Sequence, residues 1–419
     1  MEYIKKEYAA YNVHIIKTDK FKSITIDVNF LRKIKKEEIT IRNFLSEILL
    51  QSSKNYPTKR LLALKSMELY DSNVRSSNSR IGNFSNLSFN LKFLNDKYTE
   101  DGMFDKTLDF FFDILFNPNV ENGRFDEKSF KIVNKLIYNE IKSIKDNLTK
   151  YSLIKMLEHM GKNEPYSYRG YGYIEDLEKI TPQKLYEYYT GILKSDKVNI
   201  LIIGDVDTDK VLNIIHDKFK INTVKKDIGN AMITHEKVRG RLRKVDDYEN
   251  IIQSKLNIGF KLKDLSDYEL RYVLPIYNEI FGGSPNSKLF QNIREKHSLA
   301  YYITSMPNIF DNLLIIYSGI NKNSYDKAVD LIKKELNNMK KGKFTDEEIN
   351  KAKENMLASL ETIEDSPARI INMYYARELA GGDEIEERIR KVKQVTKEDI
   401  IKVATKLKID TIYLMHGEE

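Results

Sequence analysis

The chain of 419 residues contains no cysteine and no tryptophan. Without cysteine there is no disulfide, no thiolate metal site and no cysteine nucleophile, a composition that fits a cytoplasmic protein. Histidine is scarce too. His14, His159, His216, His235, His297 and His416 are the full set, and no two lie four apart or in any other short metal-ligand spacing. Zinc sites draw mostly on paired histidines or cysteines, so no local zinc motif is expected. Glu158-His159 looks like the end of an H-x-x-E-H motif, but Lys155 stands where the first histidine belongs. No G-x-S-x-G elbow, P-loop or G-x-G-x-x-G turn is present in the right context. No run approaches the roughly 18 apolar residues of a membrane span. Met1-Glu-Tyr-Ile-Lys-Lys leads into no apolar segment, so no secretory signal is expected.

What is present is balanced charge and enough apolar residue for proper cores. Lys and Arg number 69 against 62 Asp and Glu, a net +7, and 41% of residues are hydrophobic. Lys and Glu alternate along the predicted helices, which reads as solvated faces. The densest basic run, Lys237 to Lys244, has no interleaved aromatics, so nucleic acid is not an expected partner. The length exceeds one average domain and favours two.

The chain is in fact written twice. A strand alternates at Ile24, Ile26, Val28 and Phe30, and again at Leu256, Ile258, Phe260 and Leu262. Helical segments follow from Arg42 and from Arg271. A second strand comes at Leu87, Phe89, Leu91 and Phe93, matched by the apolar run Leu313–Tyr317. Asp105-Lys-Thr-Leu-Asp then corresponds to Asp326-Lys-Ala-Val-Asp, each opening an amphipathic helix. Phe125-Asp-Glu-Lys and Phe344-Thr-Asp-Glu open long charged helices. Thr181-Pro182 and Thr396 cap a last helix in each half, followed by the strands from Val198 and Asp410. These matches, all in one order, predict two tandem homologous α/β domains of α+β class, each with helices packed on one sheet face. The expected boundaries are 1–225 and 246–419, with a linker at 226–245.

One segment stands out in the second half: Phe281-Gly-Gly-Ser-Pro-Asn-Ser-Lys-Leu-Phe-Gln-Asn-Ile-Arg-Glu-Lys-His-Ser-Leu-Ala-Tyr. Gly282 and Gly283 read as a helix end, a polar loop follows, Arg294 lies on a short amphipathic helix, and Tyr301 opens a strand. By itself this is a helix cap and an ordinary helix.

This segment closely resembles a signature in the second domain of the pitrilysin-type (inverted zinc motif) peptidases, in the branch of the processing peptidases. The duplicated layout extends the resemblance over the whole chain. The resemblance implies that Arg294 and Tyr301, with Gly282 and Gly283 beside them, hold substrate backbone near the scissile bond. A guanidinium and a phenol suit that task because both donate hydrogen bonds to carbonyls. It also implies that each chain forms half of a clamshell.

The family's first domain carries H-x-x-E-H and a distant glutamate ligand. The matching positions here are Asn43 for the first histidine, Ser46 for the catalytic glutamate, Glu47 for the second histidine and Glu140 for the distant ligand. Two carboxylates without imidazole suit zinc poorly, and a serine is no general base at neutral pH. The resemblance therefore implies an inactive homologue with no cofactor of its own. Its expected role is the non-catalytic subunit of a heterodimeric zinc metallopeptidase. Its expected partners are a zinc-bearing paralogous subunit and a peptide substrate, with no membrane involved. A homodimer, a peptide-binding or assembly protein without hydrolysis, and an oxygen-ligand site for another divalent ion at Glu47 and Glu140 stay open.

Overall fold

The computed structural model describes residues 1–219, 221, 227–235 and 240–417. The expected linker at 226–245 and the basic run at 237–244 therefore lie partly outside the described residues. The strands are β1 (Glu2–Glu7), β2 (Tyr11–Lys17), β3 (Ser23–Lys33), β4 (Asn73–Ile81), β5 (Phe84–Leu94), β6 (Val120–Glu121), β7 (Arg124–Phe125), β8 (Lys197–Gly204), β9 (Arg243–Tyr248), β10 (Ser254–Lys261), β11 (Ala300–Asn308), β12 (Leu313–Ile320) and β13 (Ile409–His416).

The duplication is visible in the pairing. One sheet has six strands in the order β1-β2-β8-β3-β5-β4, and the other has five in the order β11-β12-β10-β13-β9. Read from the far end, β4-β5-β3-β8-β2 superimposes on β11-β12-β10-β13-β9 strand for strand. The parallel pair is equivalent in both sheets, β2 with β8 and β9 with β13. Among the described residues β1 has no counterpart in the second sheet.

Period-two alternation sends one set of side chains from each sheet into a core. In the first sheet Ile24, Ile26, Val28 and Phe30 meet Leu87, Phe89 and Leu91, and the helix Ile39–Ile48 covers them with Phe44, Leu45 and Ile48. In the second, Leu256, Ile258 and Phe260 meet Leu274, Tyr277 and Phe281. Each fully buried side chain of this size contributes about 1.5–3 kcal/mol. The expected helix caps form: Thr181 accepts from the Lys184 amide at 3.2 Å, and Thr396 and Asp399 make a reciprocal capping box.

The expectation of helices on one sheet face needs correction, because the opposite face of each sheet is covered as well. In the first sheet that face mixes buried Asn12, Asn29 and Asn86 with buried Ile16, Leu201 and Ile203. The helix Pro367–Ala380 lies on it, Tyr375 donating to Asn86 Oδ1 at 2.9 Å and Glu378 accepting from Asn12 at 3.1 Å. On the second sheet the helix Leu148–Met160 does the same: Asn257 donates to Ser152 Oγ at 3.0 Å, and Met160 fills the space a side chain at Gly259 would take. Each covering helix comes from the other half of the sequence. The compact units are accordingly discontinuous: 1–143 with 169–230 and 365–379, and 144–168 with 231–364 and 380–419.

Candidate functional site

The degenerate zinc-motif positions lie in the first unit. Ile39–Ile48 is amphipathic, and its apolar stripe fixes which side chains turn away from the core. Asn43 and Glu47 are half-buried there, and Ser46 is buried. Both ends of the Asn43 amide are committed: Nδ2 donates to the Gly170 carbonyl at 2.8 Å, and Oδ1 accepts from Asn78 Nδ2 at 2.7 Å. The Ser46 hydroxyl donates to the Asn43 carbonyl in its own helix at 2.8 Å. Two of the three motif side chains are thus absorbed in local hydrogen bonding.

Glu140 reaches the same place from the helix Glu127–Ser143. Burial pushes the Glu47 carboxyl above its ordinary range, with Lys59 opposing. Burial also raises Glu140, and the Glu47 charge adds to it. A carboxyl raised by its acidic neighbour marks two groups in electrostatic contact. The helices Ile39–Ile48 and Glu127–Ser143 pack on each other, and the Glu47 charge is felt at Glu140. The donor set does not fit zinc. It has no imidazole, and among the described residues no group of three His, Asp or Glu converges as ligands.

A buried ion network anchors this helix instead. Arg42 is fully buried, donating to Asp196 Oδ2 at 2.8 Å and to the Phe30 carbonyl at 2.8 Å. Asp196 also pairs with Arg32 at 3.0 Å, and Arg32 pairs with Glu38 at 2.8 Å. Burial alone would raise Glu38, but Arg32 and the Tyr188 hydroxyl outweigh it and hold the carboxyl low. The sequence hint was an arginine inside a helix otherwise apolar on that side. Its partners, 12 and 154 residues away, had no local signal.

The Arg/Tyr segment lies in the second unit. Helical turns Glu269–Val273, Leu274–Asn278 and Glu279–Gly283 run on without a break. Neither Gly282 nor Gly283 is in the left-handed region, so the pair is not a left-handed cap. Glycine is needed for close approach. A Cβ on Gly282 would sit 2.5 Å from Ser305 Oγ and 2.8 Å from Leu289 Cδ1, and one on Gly283 would collide with the Asn278 amide. Thr304 Oγ1 donates to the Gly282 carbonyl at 3.0 Å, tying β11 to the helix end. On this frame Leu289 and Ile293 are buried, while the Arg294 side chain is 42% and Tyr301 64% exposed. Arg294 lies over the Phe290 ring at 4.6 Å. Tyr301 stands on β11, an edge strand of its sheet.

Known proteins share this architecture. The family profile described as Peptidase M16 inactive domain matches residues 179–356, which include the Arg/Tyr segment. Probable inactive metalloprotease YmfF of Bacillus subtilis is 31% identical over 420 residues, 99% of this chain and 98% of its own. The uncharacterized zinc protease YmxG of the same organism is 27% identical over 255 residues, 60% of each chain. A conserved protein from Enterococcus faecalis superposes with a TM-score of 0.91 at 27% identity, covering 99% of both chains. The peptidase M16 inactive domain from Pseudomonas fluorescens shares the fold, with a TM-score of 0.80 at 14% identity over 100% of this chain and 99% of its own.

Two tandem repeats of this layout with an Arg/Tyr segment define an M16-type peptidase fold. The chain belongs to the M16 family, the pitrilysin-type peptidases, as a non-catalytic member.

Proposed function

We propose that this chain is the substrate-holding, non-catalytic subunit of a two-chain zinc peptidase. Arg294 and Tyr301 bind the peptide backbone, and the chain completes the chamber of a zinc-bearing paralogue that provides metal, water and base. One contrast carries the reading. The side chains of Asn43 and Ser46 are used up in internal hydrogen bonds, whereas Arg294 and Tyr301 project partly exposed from a tightly packed frame, Arg294 Nε lying 3.6 Å from its neighbour Glu295. A guanidinium beside an exposed edge strand suits an extended peptide, whose carbonyls need donors. Bacillus subtilis holds relatives of both kinds, one named as inactive and one as a zinc protease, which supports a paired arrangement. We take the cytoplasm as its compartment, consistent with a cysteine-free chain.

The test is metal content and peptidase activity of the pure chain, alone and mixed with a zinc-bearing paralogue from the same genome. The expected result is no zinc and no turnover alone, with turnover and a mixed dimer on combination. Peptide binding that ignores chelators and paralogue alike would replace this reading with a binding protein unconnected to hydrolysis. Stoichiometric zinc with activity of the lone chain would overturn it.

A further inference from the structure

The mixed face of the first unit's sheet holds a histidine that the proposed function does not use. His14 of β2 has no exposed surface. Tyr3 Oη lies 2.8 Å from Nδ1, and Asn199 Oδ1 lies 3.5 Å from Nε2. An amide oxygen only accepts, so Nε2 carries a hydrogen, and in a neutral ring Nδ1 then accepts from the Tyr3 hydroxyl.

Two elements close over this ring. Tyr3 belongs to the edge strand β1 and stacks on Tyr374 of the helix Pro367–Ala380, with centroids 4.4 Å apart. Four residues on, Glu378 accepts from Asn12 at 3.1 Å and pairs with Lys5 of β1 at 2.9 Å and Lys197 of β8 at 3.9 Å. The seat under the helix mixes polar and apolar groups, with Ile16, Leu201 and Ile203 buried on the same face as His14 and Asn12. Asn12 Oδ1 and Asn199 Nδ2 are buried there with no hydrogen-bond partner.

A second proton on His14 would put a cation where no water reaches and force the Tyr3 hydroxyl to turn from donor to acceptor. The charges facing the ring are Glu378 from the helix and Lys5 and Glu7 from β1, and both glutamates are already paired with Lys5. Arg377, also on the helix, lies over Tyr374. From β8 the ring meets Asn199, with Lys197 further along that strand. Burial pushes His14 below its ordinary range, outweighing Glu378 and the Asn199 bond, while Lys5 lowers it further and Glu7 opposes.

We propose that β1 and the helix Pro367–Ala380 form an acid-releasable clasp on the first unit, with His14 as its latch. The clasped form takes up the proton less readily than the open form. The clasp is therefore at full strength above the ordinary histidine pKa of about 6.5 and weakens as pH falls through it. If the clasped ring stays neutral, opening rises by about tenfold between pH 7.5 and 5.5, a window in which free carboxylates remain ionised.

Amide hydrogen exchange on the full chain, corrected for intrinsic rates, measures this opening. Residues 2–7 and 367–379 are expected to open about tenfold more at pH 5.5 than at 7.5, with β3 and β8 unchanged. His14→Gln, which keeps polar reach without titrating, is expected to abolish the difference. An equal rise in His14→Gln would assign the response to other groups and overturn the proposal, as would unchanged exchange in the natural chain. Should the variant fail to fold, an NMR titration of the natural chain decides. A His14 ring that titrates at or above its ordinary value while the clasp is closed sinks the idea.

Discussion

Arg42 and Asp196 have no exposed side-chain surface, and each needs the other. Replacing Arg42 with methionine fills the volume but leaves the buried Asp196 carboxylate dependent on Arg32. Urea unfolding is expected to show a loss of about 3–5 kcal/mol, the cost of an orphaned buried charge. A loss under about 1 kcal/mol would mean Arg32 satisfies Asp196 alone. Arg294 and Tyr301 should behave oppositely, because nothing in the fold depends on their exposed groups. Arg294→Ala is expected to leave stability within about 0.5 kcal/mol while weakening peptide binding about tenfold, read by fluorescence anisotropy. Unchanged affinity would remove Arg294 from the proposed site. Both residues were legible in the sequence because their whole frame is contiguous, from Phe281 to Tyr301. The fate of Asn43 was not, since Gly170 and Asn78 reach it from segments 127 and 35 residues away.

Between elements, close approach and ion pairing set the tolerances. Gly282→Ala puts a methyl 2.5 Å from Ser305 Oγ, where β11 presses on the helix end. Overpacking of this kind costs about 1–3 kcal/mol, and a thermal melt should show it. The helical turn Glu269–Val273 is tied to the helix Lys397–Lys406 through buried Glu269. Burial alone would raise its carboxyl, but bonds from Lys406 at 2.6 Å, the Ser266 amide and Lys402 outweigh it and hold it at about 2. A depressed carboxyl stabilises the fold above its unfolded pKa, about 4.3, and that stability fades as pH falls through about 2. Acid unfolding between about pH 4.5 and 2 should therefore be shallower in Glu269→Gln than in the natural chain. Identical slopes would show that other groups carry the acid response.

Across the whole chain, exchange of helices makes the two sequence halves interdependent. A fragment of residues 1–225 lacks the helix that covers the mixed face of its sheet, and a fragment 246–419 lacks Leu148–Met160, which lies on its β10. Neither fragment is expected to give a cooperative unfolding transition alone, because each would leave one buried sheet face open to water. A well-dispersed NMR spectrum from either fragment would contradict this. Among the described residues no helix is long and apolar enough to cross a membrane.

The sequence by itself determined the repeat, the strands at Ile24 and Leu256, the caps at Thr181 and Thr396, the absence of any H-x-x-E-H run and the contiguous segment from Phe281 to Tyr301. Each of these is written in local periodicity, in a capping residue or in contiguous residue types. Only the tertiary structure decided that Gly282 and Gly283 serve close packing, that Arg42 anchors its helix on Asp196, and that His14 is buried beneath Tyr3. It also decided that each sheet borrows a helix from the other half. Asparagines and a histidine facing a sheet carry no apolar period, so nothing local announces what will cover them. Several of their partners are 185 to 366 residues away, and hydrogen bonds over such separations are settled only when the chain has folded.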